Sequence, residues 1–262
     1  MSILRGAVRG PLRAARRVHF ELRASLDRRR MADLRRGREV CWEASDAVDP
    51  LVTIRIATYD RGPMLVERAI ASAIRQTHRN IEILVIGDGA TPETMAAVAQ
   101  VTDPRVRFVN LPRTSYPRNA ERRWKVIGHA PMNAALRLAR GSWIAPLDDD
   151  DECTDDRVEA LLSAAIERRL EFVYGKTAIL QLDGGWKELG SWPPGHGKFT
   201  QGAALYSTRL AFMRYDARSW LDGLPADWNL WRRMIRAGVR MGYVDRIVYR
   251  YFPARHNPTT EE

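Results

Sequence analysis

The chain has 262 residues, enough for one substantial α/β domain or two small ones, and its 45% hydrophobic and 28% charged content is ordinary for a globular fold. No run of 18 or more apolar residues occurs, which excludes a membrane-spanning helix, and the arginine-bearing start lacks the continuous apolar core of a secretory signal. The net charge of +10 is uneven: residues 1–40 hold 12 Arg against four acids, while residues 41–262 carry a net of only +2, so no basic nucleic-acid face is forced on the body and no nucleic-acid partner is expected.

Residues 1–48 read as a basic, partly helical arm. Ile3, Leu4, Val8, Leu12, Ala15, Val18, Leu22 and Leu26 recur mostly at helical steps with arginines between them, and the helix is expected to start near Pro11. Two readings stay open. Residues 1–40 form an amphipathic segment lying on an anionic membrane, or they form a solvated helix or tail packed against the body or a partner. The two cysteines, Cys41 and Cys153, lack CxxC or Cys/His spacing, which argues against a disulfide framework or structural zinc. A cytoplasmic location, peripheral at the inner membrane face if the arm binds lipid, is the expectation.

The body is expected to span 49–262. Residues 51–57 (LVTIRIA) are a β-branched run that reads as a strand. Val66, Ile70 and Ile74 then mark one helical face, and residues 81–86 (IEILVI) form a second, almost wholly apolar strand ending in Gly87-Asp88-Gly89. Thr91 and Pro92 are helix-start residues. A third strand is expected at 106–109, a helix at 131–140 stopping at Gly141, and a fourth strand at 143–147 running into Asp148, Asp149, Asp150 and Asp151.

This alternation predicts an α/β fold with a mostly parallel sheet and helices on both faces. Ligands in such sheets bind beyond the carboxyl ends of the strands. Here those ends carry Thr58-Tyr59-Asp60, Gly87-Asp88-Gly89 and the aspartate tract, so three acidic clusters are expected on one rim. The segment after the tract reads as an amphipathic helix at 158–166, strands at 172–174 and 177–180, a hairpin turn at Asp183-Gly184-Gly185, a loop at 191–197, a helix from Pro225 to Ile235 stopped by Gly238, and one or two strands over 243–251.

Four adjacent carboxylates repel one another unless a cation screens them. A divalent ion shared with substrate phosphates resolves this, and Mg²⁺ or Mn²⁺ favours such oxygen ligands. If the tract is extended, Asp148 and Asp150 point the same way and can share the ion. A solvated loop capping the next helix is the competing reading. An EF-hand loop fails, because Cys153 stands where glycine is needed. Asp88, between two glycines, is placed to accept from a base N–H or a ribose hydroxyl, or to sit in a solvated tight turn. The connection 111–128 is long and basic, with Arg113, Arg118, Arg122, Arg123 and Lys125 suited to phosphates or to solvent. His196 and His256 lie where either could complete a metal shell or touch a diphosphate, or remain solvated loop histidines.

The ordered set of segments 53–61 (TIRIATYDR), 73–77 (AIRQT), 82–91 (EILVIGDGAT), 133–141 (NAALRLARG) and 144–151 (IAPLDDDD) resembles family 2 glycosyltransferases of the GT-A fold over about residues 51–251. The resemblance implies a Rossmann-like nucleotide-binding half at 49–152 and a smaller acceptor-binding half at 153–262. It implies that Thr58, Asp60, Asp88, Asn133, Asp148 and Asp149 bind the nucleotide sugar and that Asp148 and Asp150 form a DxD pair, with Asp150 in direct contact with the metal. The donor would be a UDP-, GDP- or dTDP-sugar, and the acceptor is unidentified. Leu224-Pro225-Ala226-Asp227-Trp228 resembles the family's acidic motif, which makes Asp227 the general base of an inverting transfer, with Asp222 as the competing carboxylate. As a helix N-cap or first-turn acid, Asp227 would instead have its pKa lowered by the helix dipole. This sequence has one acid where the family often has two, at Gly87-Asp88, and Ala57 where a proline usually stands. A sugar-phosphate nucleotidyltransferase and a non-enzymatic anion- or membrane-binding module are the alternatives. The first would need a glycine-rich loop that Ala57 to Gly62 lacks.

Overall fold

The computed structural model describes residues 9–36 and 49–253, with side chains from Val18 onward. Helix α1 (Arg9–Arg36) is followed by β1 (Val52–Thr58), α2 (62–74, wound as π-helix over Leu65–Ile70), β2 (Ile81–Asp88), α3 (Pro92–Ala99), β3 (Val106–Leu111), α4 (Ala120–Val126) and α5 (His129–Leu138). Then come β4 (Trp143–Asp148), β5 (Glu152–Cys153), α6 (Arg157–Glu167), β6 (Phe172–Leu180), β7 (Trp186–Leu189), β8 (Ala204–Ser207), α7 (Ala226–Arg236) and β9 (Met241–Tyr251), with short 3₁₀ turns at Gln201–Ala203, Thr208–Phe212 and Ser219–Asp222.

The nine strands among the described residues belong to one sheet, in the order β3-β2-β1-β4-β8-β6-β9-β5, with β7 on the outer part of β6. β3, β2, β1 and β4 are parallel, as the largely apolar runs of β1, β2 and β4 imply. Beyond β4 the sheet is mixed: β8 runs antiparallel to β4 and β6, and β9 is parallel to β6. The guanidinium of Arg157 on α6 staples this change of sense, donating to the Pro146 carbonyl on β4 (2.6 Å) and the Ala204 carbonyl on β8 (3.0 Å).

One core face is aliphatic, built from β1, β2 and β4 against α2 and α6. The other is aromatic, with Phe172, Tyr174, Tyr206 and Trp231 packed between the sheet and α7. Both cores draw on residues before and after 152, so the two halves share one interior. Thr91 caps α3 through the Thr94 N–H, and the αL conformation of Gly238 ends the α7 turn, both as their residue types imply.

Several elements differ from the sequence reading. The two strands expected at 172–180 are one, kinked at Gly175, where a Cβ would lie 2.7 Å from a Val248 methyl. Residues 241–251 form a single strand, one of the two alternatives left open, begun two residues earlier than expected. The connection 111–128 is not structureless, since Asn119 caps α4 within it through the Arg122 N–H. Residues 148–151 form a tight turn rather than an extended run, with the Asp151 N–H donating to the Asp148 carbonyl at 3.4 Å.

Helix α1 is docked on the C-terminal half, against α7 and the 219–222 turn. Phe20, Ala24 and Met31 are buried at this contact. Asp27 pairs with the fully buried Arg233 of α7, Glu21 with Arg236, and the His19 ring with Asp216 at 2.6 Å.

Candidate active site

Strand register brings the three acidic clusters together. Thr58 lies opposite Gly87 on β2, and Ala57 lies opposite Asp148 on β4, so the ends of β1, β2 and β4 form one rim. Thr58 is buried there, and Asp60 stands exposed beyond it.

Asp88 is buried and its carboxylate is saturated by the chain itself. It accepts from Arg113 (3.1 Å), the Thr114 N–H (2.9 Å) and hydroxyl (2.5 Å), and the Tyr116 hydroxyl (2.7 Å). Burial and this bond push Tyr116 up to about 12, so it stays a donor. Asp88 thereby moors the loop after β3. The Arg113 guanidinium lies 3.5 Å over the half-exposed Tyr59 ring and walls the rim. Arg122 stacks on Trp220 and Lys125 pairs with Glu121, whereas Arg113 is held against the rim.

The aspartate tract divides its labour. Asp148 accepts from the Gln201 amide at 2.6 Å, and Tyr249 donates to Asp151 at 2.8 Å. Asp151 also accepts from the Phe252 N–H at 2.8 Å and is fully buried, so it is a structural anchor. Asp150 is ion-paired with Arg61, with Asp149 3.9 Å from the same guanidinium. Burial first, then repulsion from Asp150, raise Asp149 to about 7. Burial raises Asp148 to about 6 against the pull of Arg55. Among the described residues no group of three or more His, Cys, Asp or Glu side chains is arranged to hold a metal ion. The tract nevertheless offers hard carboxylate oxygens whose mutual repulsion a cation would relieve. It fits an ion held by one or two carboxylates and completed by substrate phosphates and water, as Mg²⁺ is commonly held.

Beneath the tract lies a network that sequence reasoning missed. Arg55 projects from the centre of β1, is 1% exposed, and donates to Gln201 (3.0 Å) and Tyr215 (2.6 Å). Asn133 brackets Tyr215, donating to its carbonyl and accepting from its N–H, both at 2.9 Å, so Asn133 reaches the rim through Tyr215. Tyr249 crosses directly over Gly202, where a Cβ would fall 1.9 Å from the ring. The only signal in the sequence was a charged residue inside the β-branched run 52–57. Gln201 and Tyr249 come from distant segments and carried none.

Asp227 sits in the first turn of α7, and its carboxylate accepts from the Trp228 N–H at 2.7 Å. Burial raises its pKa, partly opposed by backbone donors, His196 and Arg55. The dipole alone would lower it, so desolvation wins. Asp227 is close enough to Asp148 to raise that group's pKa in turn. His196 lies 5.6 Å from the Trp228 ring on the same side. Asp222 is bound to Asn229 at 2.8 Å and feels Arg232 and His19 instead of the rim. Trp231 is core, Trp186 and Trp192 are largely exposed, and His256 and Cys41 lie outside the described residues.

The family model for glycosyl transferase family 2 matches residues 53–219, well over half of the chain and the whole of the rim. The chain belongs to glycosyl transferase family 2. This membership favours the transferase over the nucleotidyltransferase and binding-module alternatives. The succinoglycan biosynthesis protein ExoO of Rhizobium meliloti is 34% identical to this glycosyltransferase over 135 residues, covering 52% of this chain and 35% of the relative. An Escherichia coli UDP-Glc:alpha-D-GlcNAc-diphosphoundecaprenol beta-1,3-glucosyltransferase, WfgD, is 28% identical over 132 residues, covering 50% of this chain and 47% of the relative. The matched segment thus spans half or less of these relatives.

Solved structures agree on the fold. TarS 1–349 of S. aureus in complex with UDP superposes with a TM-score of 0.60 at 15% identity, covering 77% of this chain and 60% of that one. The mannosyltransferase PcManGT from Pyrobaculum calidifontis, in complex with GDP-Man and Mn²⁺, superposes with a TM-score of 0.55 at 15% identity, covering 92% and 68%. The GT-A-like α/β architecture expected from sequence is therefore the one adopted.

Proposed function

We propose that this glycosyltransferase moves a sugar from a nucleoside-diphosphate donor to an acceptor hydroxyl with inversion at the anomeric carbon. The observation that carries the reading is the strand register that brings Thr58, Gly87-Asp88 and Asp148 to one rim, with Asp227 of α7 near enough to Asp148 to repel its charge. Thr58, Asp60 and the loop moored by Asp88 flank the nucleoside, with Arg113 on Tyr59 as its outer wall. Asn133 acts by holding Tyr215 under the rim.

Asp148 and Asp150, with Asp149 beside them, are the residues that would hold a divalent cation together with the donor's diphosphate. Bound there, Mn²⁺ or Mg²⁺ would supply charge neutralisation for the departing diphosphate. Arg61 occupies Asp150 in this structure, so cation binding requires that side chain to swing aside, where it is free to meet a phosphate. Asp227 accepts the acceptor's hydroxyl proton as that oxygen forms its bond to the anomeric carbon. The bond from that carbon to the diphosphate oxygen breaks, and the nucleoside diphosphate leaves with the electron pair. The raised pKa of Asp227 makes it a stronger base than an ordinary exposed carboxylate. We place the reaction in the cytoplasm, in keeping with the buried free thiol of Cys153. The residues divide into a donor half at 49–152 and an acceptor half at 153–262, preceded by the arm 1–48.

Thermal shift with UDP, GDP, dTDP and their sugars, with and without Mn²⁺, tests the donor class, because a ligand that binds the folded state raises the melting temperature. A shift that needs metal and is lost in Asp150→Ala is expected. Absence of a shift with every nucleotide would overturn the reading.

A further inference from the structure

Helix α1 presents two apolar faces, and only one is used in the fold. Phe20, Ala24 and Met31 point into the body and are buried. On the opposite side Val18, Leu22 and Leu26, at i, i+4 and i+8, form a ridge that is 57%, 62% and 60% exposed. A helix pinned by ion pairs from Asp27 and Glu21 to Arg233 and Arg236 cannot roll to hide that ridge.

The charge around the ridge is one-sided. Arg28, Arg29, Arg30, Arg35 and Arg36 are exposed along the same helix. Two of its three described acids, Glu21 and Asp27, are turned inward to body arginines, and the third, Asp33, pairs with Arg36. Arg35 donates to the Gly238 carbonyl and Arg30 lies over the Phe212 ring, so what faces outward is an apolar strip with Arg28 and Arg29 as its basic border. Helix α4, which packs on the same 219–222 turn as α1, exposes Trp124 (65%), and Ile127 just past its end is 51% exposed; indoles favour the headgroup level of a bilayer.

We infer that α1 is a docking face for an anionic lipid bilayer, with Val18, Leu22 and Leu26 entering the headgroup–acyl boundary and the arginines meeting lipid phosphates. Apolar ridge and basic border together are the two signals that reversible surface binding needs, and neither alone suffices. A solvated helix would have no use for three large aliphatic groups in a row on its free side. A second copy of this chain would bring the same arginines against themselves, which disfavours a symmetric pairing of α1 with α1. The inference is independent of the donor and the metal. Its consequence for the enzyme is positional: α1 lies directly on α7, whose first turn carries Asp227, so the acceptor half sits at the lipid surface.

The test is co-sedimentation of the full chain with vesicles of phosphatidylcholine alone and of an equimolar phosphatidylcholine–phosphatidylglycerol mixture, at low and high salt. Binding to the anionic vesicles, weakened by salt, is expected. The Val18→Ser/Leu22→Ser/Leu26→Ser variant should bind at least roughly tenfold more weakly, with its melting temperature unchanged because the three side chains are exposed. Should that variant fail to fold, Arg28→Glu/Arg29→Glu, also fully on the surface, should lose the preference for phosphatidylglycerol. Absence of binding, binding that ignores lipid charge, or full binding by both variants would overturn the inference. So would a concentration-dependent dimer that the triple substitution dissolves. Donor-induced thermal shifts should be the same in all variants, which separates failure here from failure of the proposed reaction.

Discussion

Asp227, Asp148, Asp149 and Asp151 hold their protons more tightly than free carboxylates do, and each for a reason of place. For Asp227 the cause is burial at the first turn of α7, which outweighs the dipole and the backbone donors around it. Asp227→Asn keeps the shape and removes the proposed base. The turnover rate should fall by about 100- to 10,000-fold while the donor-induced thermal shift survives. The acidic limb of the rate–pH profile should lie above the usual carboxylate range. For Asp148 and Asp149, raised to about 6 and about 7 from 3.8, the folded chain binds more protons than the unfolded chain between roughly pH 4 and 7. Stability is therefore highest below that window and is lost as pH rises through it. In metal-free protein the melting temperature should drop between about pH 5 and 7.5, and Mn²⁺ should raise it more at the upper end than at the lower. A stabilisation by Mn²⁺ that is equal at both ends would count against cation binding by these carboxylates.

At the scale of elements, two junctions hold the site in shape. One is the turn Gln201–Ala203 under Tyr249. Gly202→Ala would drive a methyl into the phenol ring, displacing the donor to Asp151 and disturbing Gln201, which holds Asp148. Overpacking of this kind costs about 1–3 kcal/mol. A melting temperature lowered by several degrees, together with weakened nucleotide binding, is expected. The other junction is α1 on α7. Asp27→Ala leaves the buried Arg233 guanidinium without its carboxylate, although Asn229 and the Arg214 carbonyl still accept from it. Loss of a partner from a buried pair costs about 3–5 kcal/mol, and urea denaturation should read a loss toward the lower end of that range.

At the scale of the molecule, the parallel sector β3-β2-β1-β4 was legible because β1, β2 and β4 are largely apolar runs with glycine or aspartate at or just beyond their ends, and that pattern located the rim. The mixed sector was legible only in pieces. β5 has two residues, β8 has four between 3₁₀ turns, and β6 is broken in pattern by Gly175, so local periodicity could not say that all three join the same sheet. The same difference divides the site. Its acids lie at strand ends and follow from the alternation, whereas Arg55, Gln201 and Tyr249 come from three segments far apart along the chain that only the folded sheet brings together. The arm was read by its outward ridge, Val18, Leu22 and Leu26. Its inward face was invisible because Phe20, Ala24 and Met31 are interrupted by Asp27, a residue whose partner lies far along the chain.

The sheet runs without interruption from β3 through β4 and β8 to β9. Hydrogen-bonded strands that cross the donor–acceptor divide leave no hinge at which the two halves could clamp shut on a sugar. Enclosure of the reacting centre then falls to the peripheral chain: the loop tethered to Asp88 and the His196 segment facing Trp228. Deuterium exchange on adding donor should accordingly slow in 112–118 and 191–198 while the strands on either side of β4 keep the rates they had.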